Sequence, residues 1–252
     1  MSNSTFYLLV YIWIGIAIVI FPVVMKITAP YGRHTTTTWG ALINNRVGWI
    51  IMESPALLVF SGLFLFGSAS HTLVTWVFFS LWVFHYVNRT LVFPFRLRTA
   101  GKKMPLMIVC LALCFNLANG FFNGYYLGSL TTMYTISWLT DPRFIIGIIM
   151  FFAGAFINWQ SDNFLIHLRK PGETGYIIPI QGLFKYISCP NHLGEIIQWF
   201  GFAVMTWSSP ALAFAIWTLV NLLPRALHHH KWYRDTFPDY PHKRKAVIPF
   251  IL

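Results

Sequence analysis

The chain is dominated by apolar stretches of about 20 residues, the length of helix that crosses the hydrocarbon core of a bilayer. Seven of them follow one another along the 252 residues, at roughly 6–25, 47–67, 72–95, 104–128, 143–165, 191–208 and 210–227. Charged residues make up only 10% of the chain, whereas a soluble domain has about 25%. The sequence therefore predicts an all-α polytopic membrane bundle of seven transmembrane helices, forming a single domain over 1–252.

The basic residues of the loops alternate between the two sides of this predicted bundle. The first, third and fifth loops and the C-terminal tail are rich in Lys and Arg. In the second, fourth and sixth loops the only Lys or Arg is Arg143, at the end of the fourth. Because Lys and Arg accumulate in cytoplasmic loops, we expect the N-terminus outside and the C-terminus in the cytosol. The first stretch has Lys26 after it and no basic residue before it, which favours a retained anchor over a cleavable signal peptide.

The net charge of +11 is distributed over the loops that are predicted to be cytosolic. Basic residues there fix the topology and meet anionic lipid, and they could also bind an anionic cosubstrate; both roles stay open. We expect no nucleic-acid partner. Cys110 and Cys114 lie inside one span and Cys189 in a loop, so neither a disulfide framework nor a metal site is expected.

Polar and ionisable side chains inside the apolar stretches are candidates for function, because each ionisable group costs about 3 kcal/mol to insert. They are Glu53 in the second stretch; His85, Tyr86, Asn88 and Arg89 in the third; Asn158, Gln160, Asp162 and Asn163 in the fifth; and Asn191, His192 and Glu195 at the start of the sixth. One interpretation is that they satisfy one another, for example as a Glu53–Arg89 ion pair. Four such clusters in the middle or cytosolic half of their helices favour a ligand pocket that opens to the cytosol.

The fifth loop and the C-terminal tail mix basic residues, tyrosines, histidines and glycine turns. Their sequences are LRKPGETGYIIPIQGLFKYISCPNHLGE at 168–195 and RALHHHKWYRDTFPDYPHKRKAVIPF at 225–250. Arg and Lys pair with phosphate, while aromatic rings stack on bases and cations. The chain has no G-x-G-x-x-G after a strand and no G-x-x-x-x-G-K-[ST]. A dinucleotide would therefore have to bind within the helical bundle.

Several segments together resemble the steroid 5α-reductases, membrane enzymes that use NADPH to reduce the Δ4 double bond of 3-oxosteroids. The matching strings are WIIMESPAL at 49–57, HYVNRTLVFP at 85–94, FFNGYY at 121–126, INWQSDNFLIHLRKPGE at 157–173, QGLFKYIS at 181–188, PNHLGEIIQW at 190–199, and RALHHHKWY through KRKAVIPF. The C-terminal half alone would fit a wider group that includes sterol reductases and isoprenylcysteine methyltransferases. Glu53 and the His85-Tyr86 pair narrow the resemblance to steroid reduction.

This resemblance implies a catalytic role for Glu53 and Tyr86, which would hold the 3-keto oxygen of the steroid in a pocket formed mainly by helices in 1–128. An NADPH cradle would come mainly from 143–252. The implied cofactor-binding residues are Asn158, Asp162, Arg169, Tyr176, Asn191, Glu195, Arg225, His229 and Tyr233, with Trp49 near the nicotinamide and the substrate. Similar family members have Gln in place of Met52 and Arg in place of Ile177. The implied partners are a steroid, NADPH and the lipid bilayer, and a monomer is expected.

Two alternatives belong to other functional classes. A membrane methyltransferase could use S-adenosylmethionine in the same C-terminal cradle, although Glu53 and Tyr86 would then have no natural role. A transporter or lipid-binding bundle would use the fifth loop and the tail for topology alone, but the paired repeats typical of transporters are not visible in the sequence.

Overall fold

The computed structural model describes residues 1–98, 101–168 and 175–252, and most of them are helical. The α-helices are α1 (Asn3–Lys26), α2 (Asn45–Leu65), α3 (Leu73–Val87), α4 (Phe93–Arg96), α5 (Leu106–Tyr125), α6 (Pro142–His167), α7 (Pro190–Thr206) and α8 (Ser209–Thr236). Two π-helical turns extend α3 and α5, over Asn88–Val92 and Tyr126–Leu130. Short 3₁₀ turns lie at Gly32–His34, Ile136–Thr140 and Gly182–Lys185.

Five of the described helices are long and apolar enough to cross a membrane. They are Asn3–Lys26, Asn45–Leu65, Leu106–Leu130, Pro142–His167 and Ser209–Thr236. The predicted all-α, multi-pass membrane architecture is thereby confirmed. The stretches at 72–95 and 191–208 are also helical, but α3 has 15 residues before its π turn and α7 has 17. Seven spans and their orientation stay predictions.

The described residues group into two compact units. The first contains Met1–Val10 and Ala29–Phe144, and the second contains Tyr11–Thr28 and Ile145–Leu252. Of the elements listed above, α2 to α5 belong to the first unit, while α7, α8 and all but the first turn of α6 belong to the second.

In the first unit, α2 and α5 pack backbone against backbone through glycines. A Cβ atom added at Gly120 would lie 3.0 Å from the carbonyl oxygen of Pro55, and one added at Gly124 would lie 2.8 Å from that of Phe60. At Gly128 it would overlap the carbonyl of Leu63. Because successive glycines of α5 meet successively later residues of α2, the two helices run parallel, and the small residues permit their close approach.

A two-stranded antiparallel sheet joins the segments that precede these two helices. Strand β1 (Leu42–Asn44) pairs with β2 (Lys103–Pro105), so that Ile43 faces Met104. The sequence analysis did not anticipate this sheet, because three-residue strands are too short to show the alternation that identifies a strand. The Asn44 side-chain oxygen then accepts hydrogen bonds from the backbone N–H groups of Arg46 and Val47. These bonds cap the N-terminus of α2.

The π turn after α3 is explained by the proline that follows it. Pro94 has no N–H, and in a regular α-helix its ring would clash with the carbonyl of Thr90. The chain widens instead, and the N–H of Phe93 bonds to the carbonyl of Asn88, five residues earlier. Such π turns are frequent at functional sites, and this one begins two residues after the candidate residue Tyr86.

In the second unit, α6 and α7 run antiparallel and also meet through glycines. A Cβ atom added at Gly194 would lie 2.5 Å from the backbone nitrogen of Asn158, and one at Gly201 would lie 2.6 Å from that of Phe151. Gly147 and Gly154 of α6 face the same two glycines of α7 from the other side. The seven-residue spacing on each helix brings both contacts onto one face.

Candidate active site

Glu53 lies on α2 at the point where the helix contains a proline. It is half-buried, and its carboxylate oxygen Oε2 is 3.5 Å from the side-chain nitrogen of Asn116 on α5. The same amide nitrogen donates to the backbone carbonyl of Met52 at 2.6 Å. Ser54 bonds back to the carbonyl of Ile50. The carboxylate is therefore held close to α5 by an amide that also bonds the α2 backbone.

Tyr86 lies on α3 and is only 3% exposed. Its hydroxyl accepts a hydrogen bond of 3.1 Å from the side-chain nitrogen of Asn119 on α5. Its ring lies 5.1 Å from that of Trp82, whose indole N–H donates to the carbonyl of Ala56 on α2. Both candidate catalytic residues thus contact asparagines of one helix, three residues apart.

The sequence analysis did not single out these asparagines as site residues. Asn116, Asn119 and Asn123 are all buried, and their spacing of three and four residues places them on one face of α5. A signal was present, since amide side chains recurring at helical spacing in an apolar stretch must find partners there. The identity of those partners requires the tertiary structure.

Trp49 belongs to an aromatic and cationic group at the start of α2. The guanidinium carbon of Arg89 lies 4.9 Å from the centre of the Trp49 ring and 4.7 Å from that of Phe93. The two rings meet edge to face at 5.4 Å. Cation–π contacts of this kind hold Arg89, which the π turn carries, against the first turns of α2.

Met52, one of the two departures from similar family members, lies in an apolar cluster. It packs with Met104 and Val109, and Trp49 and Ile43 cover the cluster at its edge. The sheet supplies Met104 and Ile43, so the segment Lys103–Pro105 contributes directly to the apolar cluster around Met52.

In the second unit, three of the predicted cofactor residues form one hydrogen-bonded group where α6 and α7 meet. Asn158 donates to the backbone carbonyl of Asn191 at 3.0 Å, and Asn191 donates to the carboxylate of Asp162 at 3.2 Å. Asn158 and Asp162, one helical turn apart on α6, are both buried. Buried polar groups that are bonded in this way define one geometry and keep it.

The three consecutive histidines of α8 have three different neighbours. The rings of buried His229 and His192 lie 5.7 Å apart. His228 bonds to the carbonyl of Met25 on α1, whereas His230 bonds to the hydroxyl of Ser188. Successive side chains of a helix point about 100° apart, so of these three histidines only His229 packs beside the ring of His192.

The remaining predicted cofactor residues are placed around the same helices. Arg225 on α8 and Glu195 on α7 are half-buried, and Tyr233 is buried on α8. Tyr176 is exposed and meets Trp232 edge to face at 5.0 Å. Arg169 lies outside the residues that the structure describes.

The C-terminal tail is bound to the segment that leads into α7. The N–H of Ser188 donates to the carbonyl of Lys245, and that of Cys189 donates to Ala246. The hydroxyls of Ser188 and Tyr240 lie 2.6 Å apart. Burial raises the pKa of Tyr240, so the phenol stays neutral. The tail therefore holds in place the start of α7, the helix that carries Asn191, His192 and Glu195.

Comparison of the sequence with known proteins gives matches to one family. The model of the 3-oxo-5-alpha-steroid 4-dehydrogenase family matches residues 102–252. The chain is 39% identical to 3-oxo-5-alpha-steroid 4-dehydrogenase 1 of Bos taurus, over 97% of its own length and 96% of the relative's. It is 42% identical to steroid 5-alpha-reductase DET2 of Arabidopsis thaliana, over 88% and 87% of the two chains. With 3-oxo-5-alpha-steroid 4-dehydrogenase 1 of Homo sapiens it shares 37% identity, over 96% and 94%.

Proposed function

The chain belongs to the 3-oxo-5-alpha-steroid 4-dehydrogenase family, and we propose that it reduces the Δ4 double bond of 3-oxosteroids to the 5α-reduced 3-oxosteroids with NADPH. The observation that carries this proposal is the pairing of a carboxyl and a buried phenol with neighbouring amides. Asn116 and Asn119, three residues apart on α5, contact Glu53 and Tyr86. Such a pair suits a ligand with a carbonyl oxygen at one end of an apolar body, as a 3-oxosteroid has.

The proposed role of the pair follows from where charge develops. NADPH supplies the hydride that is added to carbon 5, and protonation at carbon 4 completes the reduction. The electron pair of the double bond moves toward the 3-oxygen, so a donor aimed at that oxygen stabilises the transition state more than the ground state. The phenol of Tyr86 is such a donor. Glu53, in its protonated form, donates to the same oxygen or orients the phenol.

The second unit has the residue types that NADPH requires. Arg225 supplies positive charge for the phosphates, and the amides of Asn158 and Asn191 supply hydrogen bonds in a buried setting. Tyr176 and Tyr233 offer aromatic surface for a base or the ribose. We propose that these residues hold NADPH together with Asp162, Arg169, Glu195 and His229. The resemblance to steroid 5α-reductases assigned the same positions, and the donor set fits the cofactor.

The seven-span topology is proposed with the N-terminus outside and the C-terminus in the cytosol. Two features support it. Strands β1 and β2 bring together the first and third loops, which the basic residues assign to the same side. In addition, α2 runs parallel to α5 and α6 runs antiparallel to α7, as the alternation requires. NADPH would then enter from the cytosol and the steroid from the lipid. We also propose that the chain acts as a monomer.

Identification of the product tests the proposed reaction. Purified protein is incubated with NADPH and a panel of Δ4-3-oxosteroids, and the steroids are analysed by mass spectrometry. We expect products that have gained two hydrogens, with the new hydrogen at carbon 5 on the α face. Absence of reduction across the panel, with S-adenosylmethionine bound in preference to NADPH, would instead support a methyltransferase.

Sealed vesicles of known orientation test the topology separately. External NADPH should drive reduction only when the cytosolic face is outward, because a charged dinucleotide does not cross about 30 Å of hydrocarbon. Equal activity in vesicles of both orientations would contradict the topology or the location of the cofactor site.

A further inference from the structure

The asparagines of α5 form a directed chain of hydrogen bonds that ends on Tyr86. Asn123 donates from its side-chain nitrogen to both the side-chain oxygen and the backbone carbonyl of Asn119, at 3.1 Å each. Asn119 in turn donates to the hydroxyl oxygen of Tyr86, also at 3.1 Å. All three residues are nearly inaccessible, at 2%, 2% and 3% exposure for Asn123, Asn119 and Tyr86.

The direction of this chain is fixed by its first member. An amide side chain can present either its oxygen or its nitrogen to a neighbour, and its hydrogen-bond partners decide which. Since Asn123 donates to the side-chain oxygen of Asn119, the nitrogen of Asn119 is turned toward Tyr86. The phenol oxygen therefore accepts a hydrogen bond at this position and does not donate one.

Acceptance of that bond changes what the phenol can do. An N–H group that donates to a hydroxyl oxygen polarises the O–H bond and strengthens the bond that the hydroxyl donates in turn. It also stabilises the partial negative charge that the phenol oxygen acquires as its proton shifts toward an acceptor. Both effects grow when the acceptor gains charge, as the 3-oxygen of the steroid does during hydride addition.

We propose that Asn119 is a positioning residue for the reduction: its amide hydrogen fixes the phenol of Tyr86 as a donor and makes it a stronger one, and Asn123 holds Asn119 in the required orientation. This inference rests on the proposed role of Tyr86. A purely structural role for Asn119, in which the bond only attaches α3 to α5, predicts different kinetics.

A double-mutant cycle separates the two roles. In the native background, Asn119→Ala should lower kcat about tenfold, the effect of one hydrogen bond, while the KM for steroid changes little. In a Tyr86→Phe background the same substitution should cause almost no further loss, because the hydroxyl on which Asn119 acts is gone. Asn123→Ala should give a smaller loss of the same kind. Leu117→Ala, on the exposed side of α5, is the matched control and should leave kcat unchanged.

The pH profile of an isosteric variant gives a second readout. In Asn119→Asp, the protonated carboxyl can still donate to Tyr86, whereas the carboxylate can only accept. We expect kcat of this variant to approach the native value at low pH and to fall as the pH rises. The native enzyme has no acid at this position and should lack this additional transition, whereas any pH dependence due to Glu53 should be common to both proteins.

Three results would overturn the inference or its premise. An equal loss from Asn119→Ala in both backgrounds, in protein that melts at the native temperature, would assign Asn119 to structure. A native kcat in Asn119→Ala would refute any role of Asn119 in the reaction. A native kcat in Tyr86→Phe itself would instead refute the proposed role of Tyr86, and so identify the failure of the premise.

Discussion

The α2–α5 pair of the first unit and the α6–α7 pair of the second both pack through glycines, yet they place their polar side chains differently. Along α2 and α5, Glu53, Asn116 and Asn119 lie well inside the helices, within predominantly apolar stretches of the sequence. In the other pair, Asn158, Asp162 and Asn191 gather toward one end, where α6 approaches its last turns and α7 begins.

This difference corresponds to two kinds of ligand. Polar groups within an apolar stretch are costly, and they suit a largely apolar ligand that presents a polar atom to them. In the proposed topology, polar groups near the cytosolic end of a helix pair lie close to the aqueous side, although Asn158 and Asp162 are themselves buried, and they suit a charged ligand that arrives from that side. We therefore interpret the first pair as the proposed steroid site and the second as part of the proposed cofactor site.

The largest effect is expected from removal of the Tyr86 hydroxyl at the proposed steroid site. Tyr86→Phe should lower kcat about 10²- to 10³-fold, the loss that follows from removing one donor to a developing oxyanion. NADPH binding should stay at the native level. Steady-state kinetics and equilibrium binding measure the two quantities, and Tyr11→Phe, at an exposed position of α1, serves as a control for the loss of a phenol hydroxyl.

The glycine contacts should be next in size, and they sharpen the comparison between the two pairs. In Gly154→Ala the added methyl group would overlap the backbone of α7, which cannot move aside as a side chain can. We expect destabilisation of about 3 kcal/mol, at the upper end for overpacking, and a lower melting temperature in detergent. Gly15→Ala on α1 is the matched control, since nothing lies within 4 Å of the added atom; equal stability of the two variants would contradict the close approach of α6 and α7.

Gly120→Ala on α5 should cost less than Gly154→Ala. Its added methyl group would lie 3.0 Å from the carbonyl of Pro55, a tight contact but not an overlap. The same melting experiment compares these two individual contacts, and a larger loss from Gly120→Ala would reverse their expected order.

The smallest effect lies outside both pairs, at the turn before α6. Arg143 donates two hydrogen bonds of 2.9 and 2.8 Å to the two carboxylate oxygens of Asp141, and it lowers the pKa of Asp141 to about 2. A carboxyl whose pKa is lower in the folded state stabilises the fold above its unfolded pKa, near 4, and this contribution is lost as the pH falls toward 2. The pair is partly exposed to solvent, which screens the charges, so the loss should be small.

Thermal melting between pH 5 and pH 2.5 measures that contribution. Asp141→Asn should reduce the dependence of the melting temperature on pH in this range. An unchanged dependence would show that the ion pair adds no measurable stability.

The fold could be predicted from the sequence where a single physical requirement decides it. The helix Asn3–Lys26 contains a long apolar stretch, so its assignment as a candidate membrane span follows from length and hydropathy alone. The small sheet could not be predicted, because the pairing of Ile43 with Met104 depends on two loops that are distant in the sequence. The C-terminal helix continues to Thr236, beyond the predicted end at 227, because polar side chains end a membrane span without ending a helix.

The candidate site also has a part that could be predicted from the sequence and a part that could not. Glu53 and Tyr86 were identified as polar residues in apolar stretches and by resemblance to a family. Their shared dependence on α5 was not, because the hydrogen bonds of Asn116 and Asn119 join residues 63 and 33 positions apart. Long-range partners of this kind follow from helix packing, which the glycines of α5 permit but do not specify.

The central claim, that separate residues serve the steroid and the cofactor, is tested most directly by kinetics and NADPH binding on two variants measured in parallel. Glu53→Gln should bind NADPH with the native Kd and lose most of its turnover, because shape is kept while the acid is lost. Arg225→Ala should raise the KM for NADPH about 10- to 100-fold, the effect of a charge-assisted bond, with little change in the KM for steroid. Arg234→Ala, at an exposed position of the same helix, should behave like the native enzyme. Native turnover in folded Glu53→Gln, or an unchanged KM for NADPH in Arg225→Ala, would contradict the assignment.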